Sequence, residues 1–310
     1  MTLTSIVAGT FIADVRHLGK PSIIAATILE LDDGIAIVDP GPTATMSTLL
    51  QALESGGYNM SSVRAILLTH IHLDHAGATG SFLAENPNID VFVHERGAPH
   101  MIDPSRLMRS ATRIFGDEME RLWGACLPVP ESRIITVGEE DALNLGERPL
   151  EVAYTPGHAS HHVSYFDPTT GLAFVGDAAG GRIEDAHAVV PATPPPETDI
   201  DEILNSVRRM LSWKPERLVI THFGTIADPE EHADMLEAAL SEWAPAVQRS
   251  LSESGSDEER FQRFEAWAGA RLRTTVDEET AVAYEKGIPA WLSWLGLARY
   301  WRKRAESPAG

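Results

Sequence analysis

The most informative part of the sequence lies at residues 67–77, which read Leu67-Leu68-Thr69-His70-Ile71-His72-Leu73-Asp74-His75-Ala76-Gly77. The segment begins as a buried strand and ends where a helix should start, so we expect its polar residues to occupy the loop between the two. His70 and His72 are two residues apart and project from the same side of an extended backbone. Asp74 and His75 follow after the chain has turned and can face a second point. Three of the twelve histidines fall within this short segment, which indicates a metal site rather than a structural cluster.

Three further ligand-type side chains follow other apolar, β-branched runs of the sequence. These residues are His158, Asp177 and His222. In α/β folds, the C-terminal ends of strands expose functional groups. Any one of the three alone would suit a structural role, but together with the 67–77 segment they occupy four such strand ends in one chain. The pattern therefore predicts that the four loops converge on one metal-binding site.

The composition restricts the class of protein. The chain has 310 residues, 43% of them hydrophobic, which is ordinary for a globular protein and excludes a disordered or fibrous one. Lys and Arg number 25 against 45 Asp and Glu, and the net charge of −20 disfavours nucleic acid and anionic membranes as partners. We therefore expect a small-molecule substrate. The single cysteine, Cys126, cannot form an internal disulfide or a thiolate zinc site, so any metal must be held by histidine and carboxylate.

The hydropathy pattern bears on localisation. The N-terminal stretch MTLTSIVAGTFIAD lacks the basic start and the long apolar run of a signal peptide. No stretch approaches the roughly 20 uninterrupted apolar residues that a membrane helix needs. We therefore expect a cytoplasmic protein.

The secondary-structure pattern predicts an α/β or α+β layered core, because strand-like and helical segments alternate over the first two thirds of the chain. The turn Asp32-Asp33-Gly34 lies between the first two predicted strands, as a hairpin requires. The predicted strands are residues 23–31, 35–38, 63–68, 91–94, 134–137, 150–154, 162–166, 173–175 and 218–220. The predicted helices are residues 43–54, 76–83, 105–123, 200–213 and 229–251, followed by 258–272 and 277–302 in a C-terminal tail.

Two segments differ in composition from the rest of the chain. Residues 184–199 (EDAHAVVPATPPPETD) are rich in proline and predict a long irregular loop. The tail after Ser252 holds four of the seven tryptophans. We expect a catalytic domain at residues 1–252 and a C-terminal helical subdomain at 253–310, which either covers the active site or pairs two chains in a homodimer. We also expect the proline-rich loop and the tail to shape the substrate pocket.

These motifs resemble those of a known family. The order His70-x-His72-x-Asp74-His75, then His158, Asp177 and His222, with Asp39 in an earlier VDPG, is similar to the metallo-β-lactamase-fold hydrolase superfamily over roughly residues 5–239. The resemblance implies a four-layer αββα sandwich of the α+β class with an appended C-terminal helical segment, and a site at one edge of the two sheets. It also implies ligand roles: His70, His72 and His158 for a first metal, Asp74, His75 and His222 for a second, Asp177 as the bridge, and Asp39 as a residue that orients a ligand or loop.

The ligand types suggest the chemistry. Imidazole and carboxylate suit zinc, and they also suit iron or manganese, so the expected cofactors are two divalent metal ions with zinc preferred. Two cations sharing Asp177 would lie ~3.5–4 Å apart and could bridge a water. A zinc-bound water has its pKa lowered from about 15.7 to about 7, which gives hydroxide at neutral pH. We expect this hydroxide to attack a carbonyl, with Asp74 as the catalytic residue that orients it or takes its proton.

The preferred function is a binuclear metal-dependent hydrolase of thioesters, esters or lactones, similar to glyoxalase II. Members of that group carry a GHTxGH motif, and the corresponding Gly157-His158-Ala159-Ser160-His161-His162 departs from it at Ala159 and His161. The THFG sequence around His222 also differs from the GHEYT-like setting of hydroxyacylglutathione hydrolases. Glutathione thioesters are therefore one substrate option among several.

Two other hydrolase activities of the same fold are weaker alternatives. Quorum-quenching lactonases place a tyrosine three residues after the bridging aspartate, where this chain has Gly180. A lactonase would need a tyrosine from elsewhere, such as Tyr154 or Tyr165. A tRNA-processing phosphodiesterase would need a basic surface, and the net charge of −20 argues against one.

The competitor from a different reaction class is a sulfur dioxygenase. Similar family members bind a single iron through counterparts of His70, His158 and Asp177, and they often retain the other histidines. A non-enzymatic scaffold is a further alternative, but scaffolds of this family usually lose ligands, whereas this chain keeps them all.

The remaining histidines are expected in supporting roles. We expect His162 to support the site rather than take part in catalysis, and His94 to end a strand with a local hydrogen bond. The others are expected on the surface or in loops: His17, His100, His187 and His232. Of these, His187 could overhang the site because its proline-rich loop follows Asp177.

Overall fold

The computed structural model describes residues 2–183 and 186–306, which form two mixed β-sheets and eleven α-helices. The first sheet contains, as neighbours in chain order, β1 (Thr4–Val7), β2 (Thr10–Asp14), β3 (Ala25–Leu31), β4 (Gly34–Val38), β5 (Val63–Leu67), β6 (Asp90–His94) and β7 (Ile134–Val137). The second contains, again in chain order, β8 (Ala142–Leu145), β9 (Arg148–Tyr154), β10 (Val163–Asp167), β11 (Leu172–Gly176), β12 (Arg217–Ile220) and β13 (Gly224–Ile226).

The helices lie between and after these strands. They are α1 (Met46–Ser55), α2 (Leu73–Ala76), α3 (Thr79–Glu85), α4 (Ala98–Ile102), α5 (Ser105–Phe115), α6 (Met119–Leu122), α7 (Ile200–Leu211), α8 (Pro229–Ser250), α9 (Asp257–Leu272), α10 (Glu278–Gly287) and α11 (Ala290–Glu306). None of these helices in the described part of the chain combines the length and the apolar character needed to cross a bilayer.

The layers follow from the side-chain alternation within the strands. In β4, Ile35 and Ile37 join the apolar cluster that includes α1, whereas Ala36 and Val38 join the cluster between the two sheets. Successive strand residues point to opposite faces, and because both faces are covered here, the strand reads as an uninterrupted apolar run. Helices α7 and α8 cover the outer face of the second sheet in the same way. The predicted four-layer αββα sandwich with appended C-terminal helices is therefore confirmed.

Strand direction brings the candidate site residues to one edge of the sandwich. Strands β4 and β5 are parallel neighbours, so Asp39 and the 67–77 segment follow adjacent strand ends. Strands β11 and β12 are also parallel, and β9 runs in the same direction as β11 because both pair antiparallel with β10. His158, Asp177 and His222 therefore leave the second sheet at the same edge. The two edges are joined by a hydrogen bond from the Val163 N–H to the Thr69 carbonyl oxygen at 2.8 Å.

Most predicted elements are present, and the differences have local causes. The hairpin at Asp32-Asp33-Gly34 is confirmed, because β3 and β4 pair antiparallel across it. The prediction of one helix at 105–123 was wrong, because the chain breaks at Gly116, whose φ is +54°. The prediction of one helix at 277–302 was also wrong, because Pro289 separates α10 from α11 and proline cannot continue a helix. The predicted irregular loop at 184–199 has no helix or strand in its described part, and Glu184 and Asp185 lie outside the described residues.

The tail packs on the chain's own helix α8 and on the proline-rich loop. Trp294 of α11 is fully buried, and its indole N–H donates to Ser250 Oγ at 2.8 Å. Trp243 of α8 and Val190 of the loop belong to the same apolar cluster. The tail therefore buries one of its four tryptophans completely against other parts of the same chain. The division into domains at Ser252 and a homodimer through the outer faces of these helices stay predictions.

A substitution at Gly296 tests how closely α11 contacts the proline-rich loop. A Cβ on Gly296 would lie 2.0 Å from the Thr193 carbonyl oxygen and 2.7 Å from the Pro194 carbonyl carbon. Alanine normally favours a helix by about 1 kcal/mol over glycine. Here we expect Gly296→Ala to destabilise the protein by about 1–3 kcal/mol, because the helix must move off the loop. Urea denaturation measures the effect, and Gly138→Ala, where a Cβ meets nothing within 4 Å, is the matched control. A stability equal to that of the control would contradict the predicted close contact.

Candidate metal centre

All the predicted metal ligands come together at the edge where the strands end. His70 and His72 lie in the loop after β5, and Asp74 and His75 lie in the short helix α2. The other members follow β9, β11 and β12: His158, Asp177 and His222. Three groups of these residues have ligand atoms within 4.8 Å of one another: His70, His72 and His158; His70, His75 and Asp177; and Asp74, His75 and His222.

The first group is a triangle of three imidazoles. The His72 Nδ1 atom lies 2.9 Å from the Nε2 atoms of both His70 and His158, and those two Nε2 atoms are 3.2 Å apart. His70 and His158 are buried, whereas His72 is half-buried. Three ring nitrogens that converge at these distances are the arrangement in which imidazoles bind one transition-metal ion.

The group of Asp74, His75 and His222, called the second group below, combines a carboxylate with two imidazoles. Asp74 Oδ2 lies 3.3 Å from His222 Nε2 and 3.8 Å from His75 Nε2. Asp177 lies between the two groups. Its Oδ1 atom is 3.3 Å from His75 Nε2 and 3.6 Å from His222 Nε2, and its Oδ2 atom is 3.6 Å from His158 Nε2. One carboxylate therefore faces both groups, as the resemblance implies for the bridge.

The buried donor atoms fit divalent cations. Among the described residues, His75 Nε2 and Asp177 Oδ1 are buried without a hydrogen-bond partner. An unsatisfied buried polar atom costs about 1–3 kcal/mol, and a cation between these two atoms would satisfy both. The donor set contains nitrogen and carboxylate oxygen without thiolate, which suits zinc and also iron or manganese.

Hydrogen bonds on the side of the ring away from the cluster fix the orientation of three of the histidines. The Nδ1–H groups of His158 and His222 donate to the carbonyl oxygens of Ala192 at 2.9 Å and Ile23 at 2.7 Å. The Nδ1–H group of His75 donates to Asp39 Oδ2 at 2.8 Å. In each ring Nδ1 is occupied by its acceptor, so Nε2 is the ring nitrogen that points at the cluster. Partners of this kind orient metal-binding histidines and increase their basicity.

Asp39 organises the loop as well as His75. This carboxylate is 1% exposed. It accepts hydrogen bonds from the Thr69 N–H at 2.8 Å, from Thr69 Oγ1 at 2.6 Å and from Thr221 Oγ1 at 3.3 Å. Its contacts are those expected of a residue that orients both a ligand and a loop.

His162 supports Asp177 from behind the cluster. The Asp177 N–H donates to His162 Nε2 at 3.3 Å, and His162 Nδ1 is 2.9 Å from Thr155 Oγ1. His162 itself is buried. The residue before Asp177 must be glycine-sized, because a Cβ on Gly176 would lie 2.4 Å from Thr69 Oγ1. The contacts agree with the supporting role predicted for His162. His94 also behaves as predicted, because its Nδ1 accepts a local hydrogen bond from the Arg96 N–H at 3.2 Å.

The electrostatics differ between the two groups. Burial, followed by the neighbouring His75 ring, holds the pKa of His70 well below its ordinary value. Burial alone would also lower the pKa of His75, but the Asp177, Asp74 and Asp39 carboxylates raise it well above its ordinary value. Burial alone would raise the pKa of Asp74, but His75 and His222 hold it well below its usual range, so this carboxylate is ionised at neutral pH.

A cavity of about 470 Å³ opens onto the cluster. The proline-rich loop contributes residues 192–197 to its wall, and the α10–α11 junction contributes residues 286–289 and 291–293. Both segments therefore line the cavity, as predicted. His187 does not overhang the site, because it is exposed and lines a separate cavity of about 300 Å³ against α8 and α9.

Two histidines are more buried than the sequence predicted. His17, expected on the surface or in a loop, lies in the loop between β2 and β3 but is only 3% exposed, and it lines the cavity together with His100 and His161. His232, expected in the same setting, is fully buried in α8 and its Nε2–H donates to the Ala179 carbonyl oxygen at 2.8 Å. The left-handed backbone of Arg16 beside His17 could not be read from sequence.

The tyrosines that a lactonase would require are used elsewhere. The Tyr165 hydroxyl is buried and donates to the Leu68 carbonyl oxygen at 2.9 Å. The Tyr154 hydroxyl donates to the Ser160 carbonyl oxygen and accepts from the Arg96 guanidinium, each at 2.9 Å. Among the described residues, no tyrosine lines the cavity over the metal ligands.

An αββα sandwich with a His/Asp cluster at the ends of its strands defines a class of metal-binding proteins. A family model described as the metallo-beta-lactamase superfamily matches residues 19–222, and the chain belongs to that superfamily. The His/Asp cluster supplies this superfamily member with three groups of residues that could hold metal ions.

Individual relatives are distant. The chain is 29% identical over 172 residues to the metallo-beta-lactamase fold-containing protein ST1585 of Sulfurisphaera tokodaii, covering 54% of this chain and 64% of that one. It is 27% identical over 159 residues to a hydroxyacylglutathione hydrolase of Legionella pneumophila, covering 48% of each. The chain thus spans less than two thirds of the length of these two relatives. A hydroxyacylglutathione hydrolase of Maricaulis maris is 27% identical over 277 residues, which cover 81% of this chain and 91% of that one.

Solved structures agree on the fold over nearly the whole chain. The metallo-beta-lactamase family protein TTHA1429 from Thermus thermophilus superposes with a TM-score of 0.70 at 22% identity, covering 99% of this chain and 97% of that one. ST1585 superposes with a TM-score of 0.64 at 21% identity, covering 94% and 98%.

Proposed function

We propose that the protein is a binuclear metal-dependent hydrolase that cleaves a thioester, ester or lactone carbonyl. The observation that carries this proposal is the pair of ligand groups that share the Asp177 carboxylate. The first ion would be held by His70, His72 and His158, and the second by Asp74, His75 and His222. We propose zinc as the metal, because imidazole and carboxylate ligands without thiolate suit it.

The protein's own residues prepare the site for this chemistry. When bound, two divalent cations supply an activated water at neutral pH and polarise the carbonyl that is attacked. We propose that Asp74, whose side chain is 20% exposed, orients the nucleophile or takes its proton. The Asp39, Ala192 and Ile23 acceptors hold three imidazoles in one tautomer, so the ligand atoms need no rearrangement.

A thioester or ester substrate has more support than a lactone. The relative from Maricaulis maris, which this chain covers over 91% of its length, is a hydroxyacylglutathione hydrolase. The lactonase alternative has less support, because position 180 is glycine and the described cavity wall contains no tyrosine. The partner we propose is therefore a small-molecule thioester or ester.

Metal content tests the proposal first. We expect the full chain, expressed without added metal, to contain about two divalent ions per chain by elemental analysis. A screen of thioesters, esters, lactones and phosphodiesters should then give turnover that a chelator abolishes and added zinc restores. About one iron per chain, with oxygen uptake on persulfides, would instead establish the sulfur dioxygenase. A chain that neither holds metal nor takes it up would contradict both enzymes.

A further inference from the structure

The cavity over the metal ligands is mainly apolar on the sides away from them. Three segments outside the two sheets form these sides: α5 and the residues after it, the proline-rich loop and the α10–α11 junction. Leu107 and Ile114 of α5 line one side, and Ile288 and Trp291 of the junction line another. Apart from the metal ligands, the charged lining residues are Arg106, Glu197 and Lys286, and all three are exposed, which places them at the rim.

Aromatic contacts join the opposite sides of this cavity. The Phe115 ring, at the end of α5, lies 5.1 Å from the Trp123 ring and 6.2 Å from the Trp291 ring of the tail, edge to face in both cases. All three side chains are only half-buried and line the cavity. Their remaining apolar surface faces a space that a hydrocarbon chain would fill more favourably than water.

We propose that this cavity binds the hydrocarbon chain of a medium-chain acyl ester or thioester, with the carbonyl at the metal ligands. The proposal rests on the proposed hydrolase for the cleavage step but not for the binding of the chain. A small polar acyl group would leave the Leu107, Phe115 and Trp291 surfaces in water. The cavity volume of about 470 Å³ lies within the range of pockets that bury most of a small ligand.

Binding of simple carboxylates tests the proposal without any turnover. Acetate, butyrate, hexanoate and octanoate are titrated into the full chain by calorimetry. Each buried methylene contributes about 0.8 kcal/mol, so we expect the Kd to fall about fourfold per added methylene until the cavity is filled. Thioesters of one thiol with the same acyl series should show kcat/KM rising in parallel. Equal Kd values for acetate and octanoate would overturn the proposal.

Two tryptophan substitutions on α5 provide a matched pair. Ser110 is exposed and lines the cavity, so Ser110→Trp should occupy its space and remove the preference for octanoate over acetate. Thr112 is exposed and does not line the cavity, so Thr112→Trp should keep the preference. Loss of the preference in both variants, or in neither, would contradict the assigned location. Chain-length-dependent binding without hydrolysis of any thioester or ester would instead overturn the proposed function and leave the acyl cavity standing.

A second observation concerns His17. Its imidazole is 3% exposed and lines the same cavity, and its Nδ1 atom has no hydrogen-bond partner among the described residues. The ring stacks on Trp123 at 5.4 Å, with 11° between the planes. The flanking Arg16 and Leu18 adopt left-handed backbone conformations with φ of 49° and 54°, and strained backbone of this kind clusters at functional sites.

We infer that His17 hydrogen-bonds a polar group of the substrate. His17 lines the cavity together with Asp74 and His222, two ligands of the second group. A buried imidazole with a free Nδ1 has no structural benefit from its polar atom, because an apolar ring of similar shape would stack equally well on Trp123. The polar atom is therefore explained by a bound ligand.

The His17→Phe and His17→Gln variants distinguish binding from structure. We expect His17→Phe to keep the wild-type Tm and metal content, to weaken hexanoate binding about tenfold and to lower kcat/KM for the best thioester about 10- to 100-fold. His17→Gln, which keeps a polar atom, should recover part of both losses. If His17 has only a structural role, the His17→Phe variant will have a lower Tm, and the fraction that remains folded will bind hexanoate with the wild-type Kd. That result would overturn the inference.

Discussion

The Asp177→Asn variant is expected to lose at least about a thousandfold in kcat/KM while keeping its fold. Asp177 is the carboxylate that faces both ligand groups, at 3.3 Å from His75 Nε2 and 3.6 Å from His158 Nε2. Asparagine has the same shape but no charge, and its amide nitrogen cannot bind a cation. Metal ions supply several kcal/mol of transition-state stabilisation, and each 1.36 kcal/mol corresponds to about a tenfold change in rate, which sets the expected loss.

Three measurements separate loss of metal from loss of fold. Elemental analysis should show fewer bound ions in Asp177→Asn, whereas circular dichroism, and urea denaturation of both proteins in the presence of a chelator, should remain close to those of the parent. His187→Ala is the matched control, because His187 is an exposed histidine that lines a different cavity, and it should keep full activity and metal content. An Asp177→Asn protein that binds two ions and keeps a tenth or more of the activity would show that Asp177 is not the bridge.

The positions of the metal ligands could be predicted from sequence because they depend on strand ends. Buried strands read as short apolar runs, and parallel strands deliver the residues that follow them to one edge. His158, Asp177 and His222 could therefore be grouped with the 67–77 segment although they are far apart in the chain. The hydrogen bond between the Val163 N–H and the Thr69 carbonyl oxygen then joins the two sheets at the edge where the pattern predicted the ligands to meet.

The cavity wall could not be predicted in the same way, because it depends on contacts between distant segments. The aromatic contact between Phe115 and Trp291 joins positions far apart in sequence, and no local pattern indicates that they meet. His17 is similar, since its burial depends on Trp123 and on the left-handed backbone of Arg16. The pattern missed four strands, β1, β2, β8 and β13. Strands β1 and β8 are exposed over much of their length and so lack a continuous apolar run, and β13 has only three residues.

The Asp39→Ala variant is expected to destabilise the metal-free protein by about 3–5 kcal/mol, an effect comparable with removing one partner of a buried ion pair. Asp39 is 1% exposed, and its removal would leave the Thr69 N–H and the His75 Nδ1–H buried without acceptors. Each such orphaned donor costs about 1–3 kcal/mol. Urea denaturation in the presence of a chelator measures this loss without any contribution from bound metal.

The same variant should also bind the second ion about 10–100-fold more weakly, because residues that orient a ligand contribute that much to metal affinity. His75 would lose the acceptor that holds its Nδ1–H, so its Nε2 atom would no longer be fixed in the direction of Asp74 and Asp177. Thr221→Val is the control, since it removes the longest of the Asp39 hydrogen bonds, at 3.3 Å, and should cost less than about 1 kcal/mol.

The Asp39→Asn variant keeps the shape of the side chain and the acceptor for the Thr69 N–H. Its amide N–H₂ would replace Oδ2 and would therefore face the donors that Oδ2 now accepts from, including the His75 Nδ1–H. If Asp39→Asn matched the parent in stability and second-ion affinity, the charge of Asp39 would have no role in orienting His75, and the tautomer assigned to this ligand would be wrong.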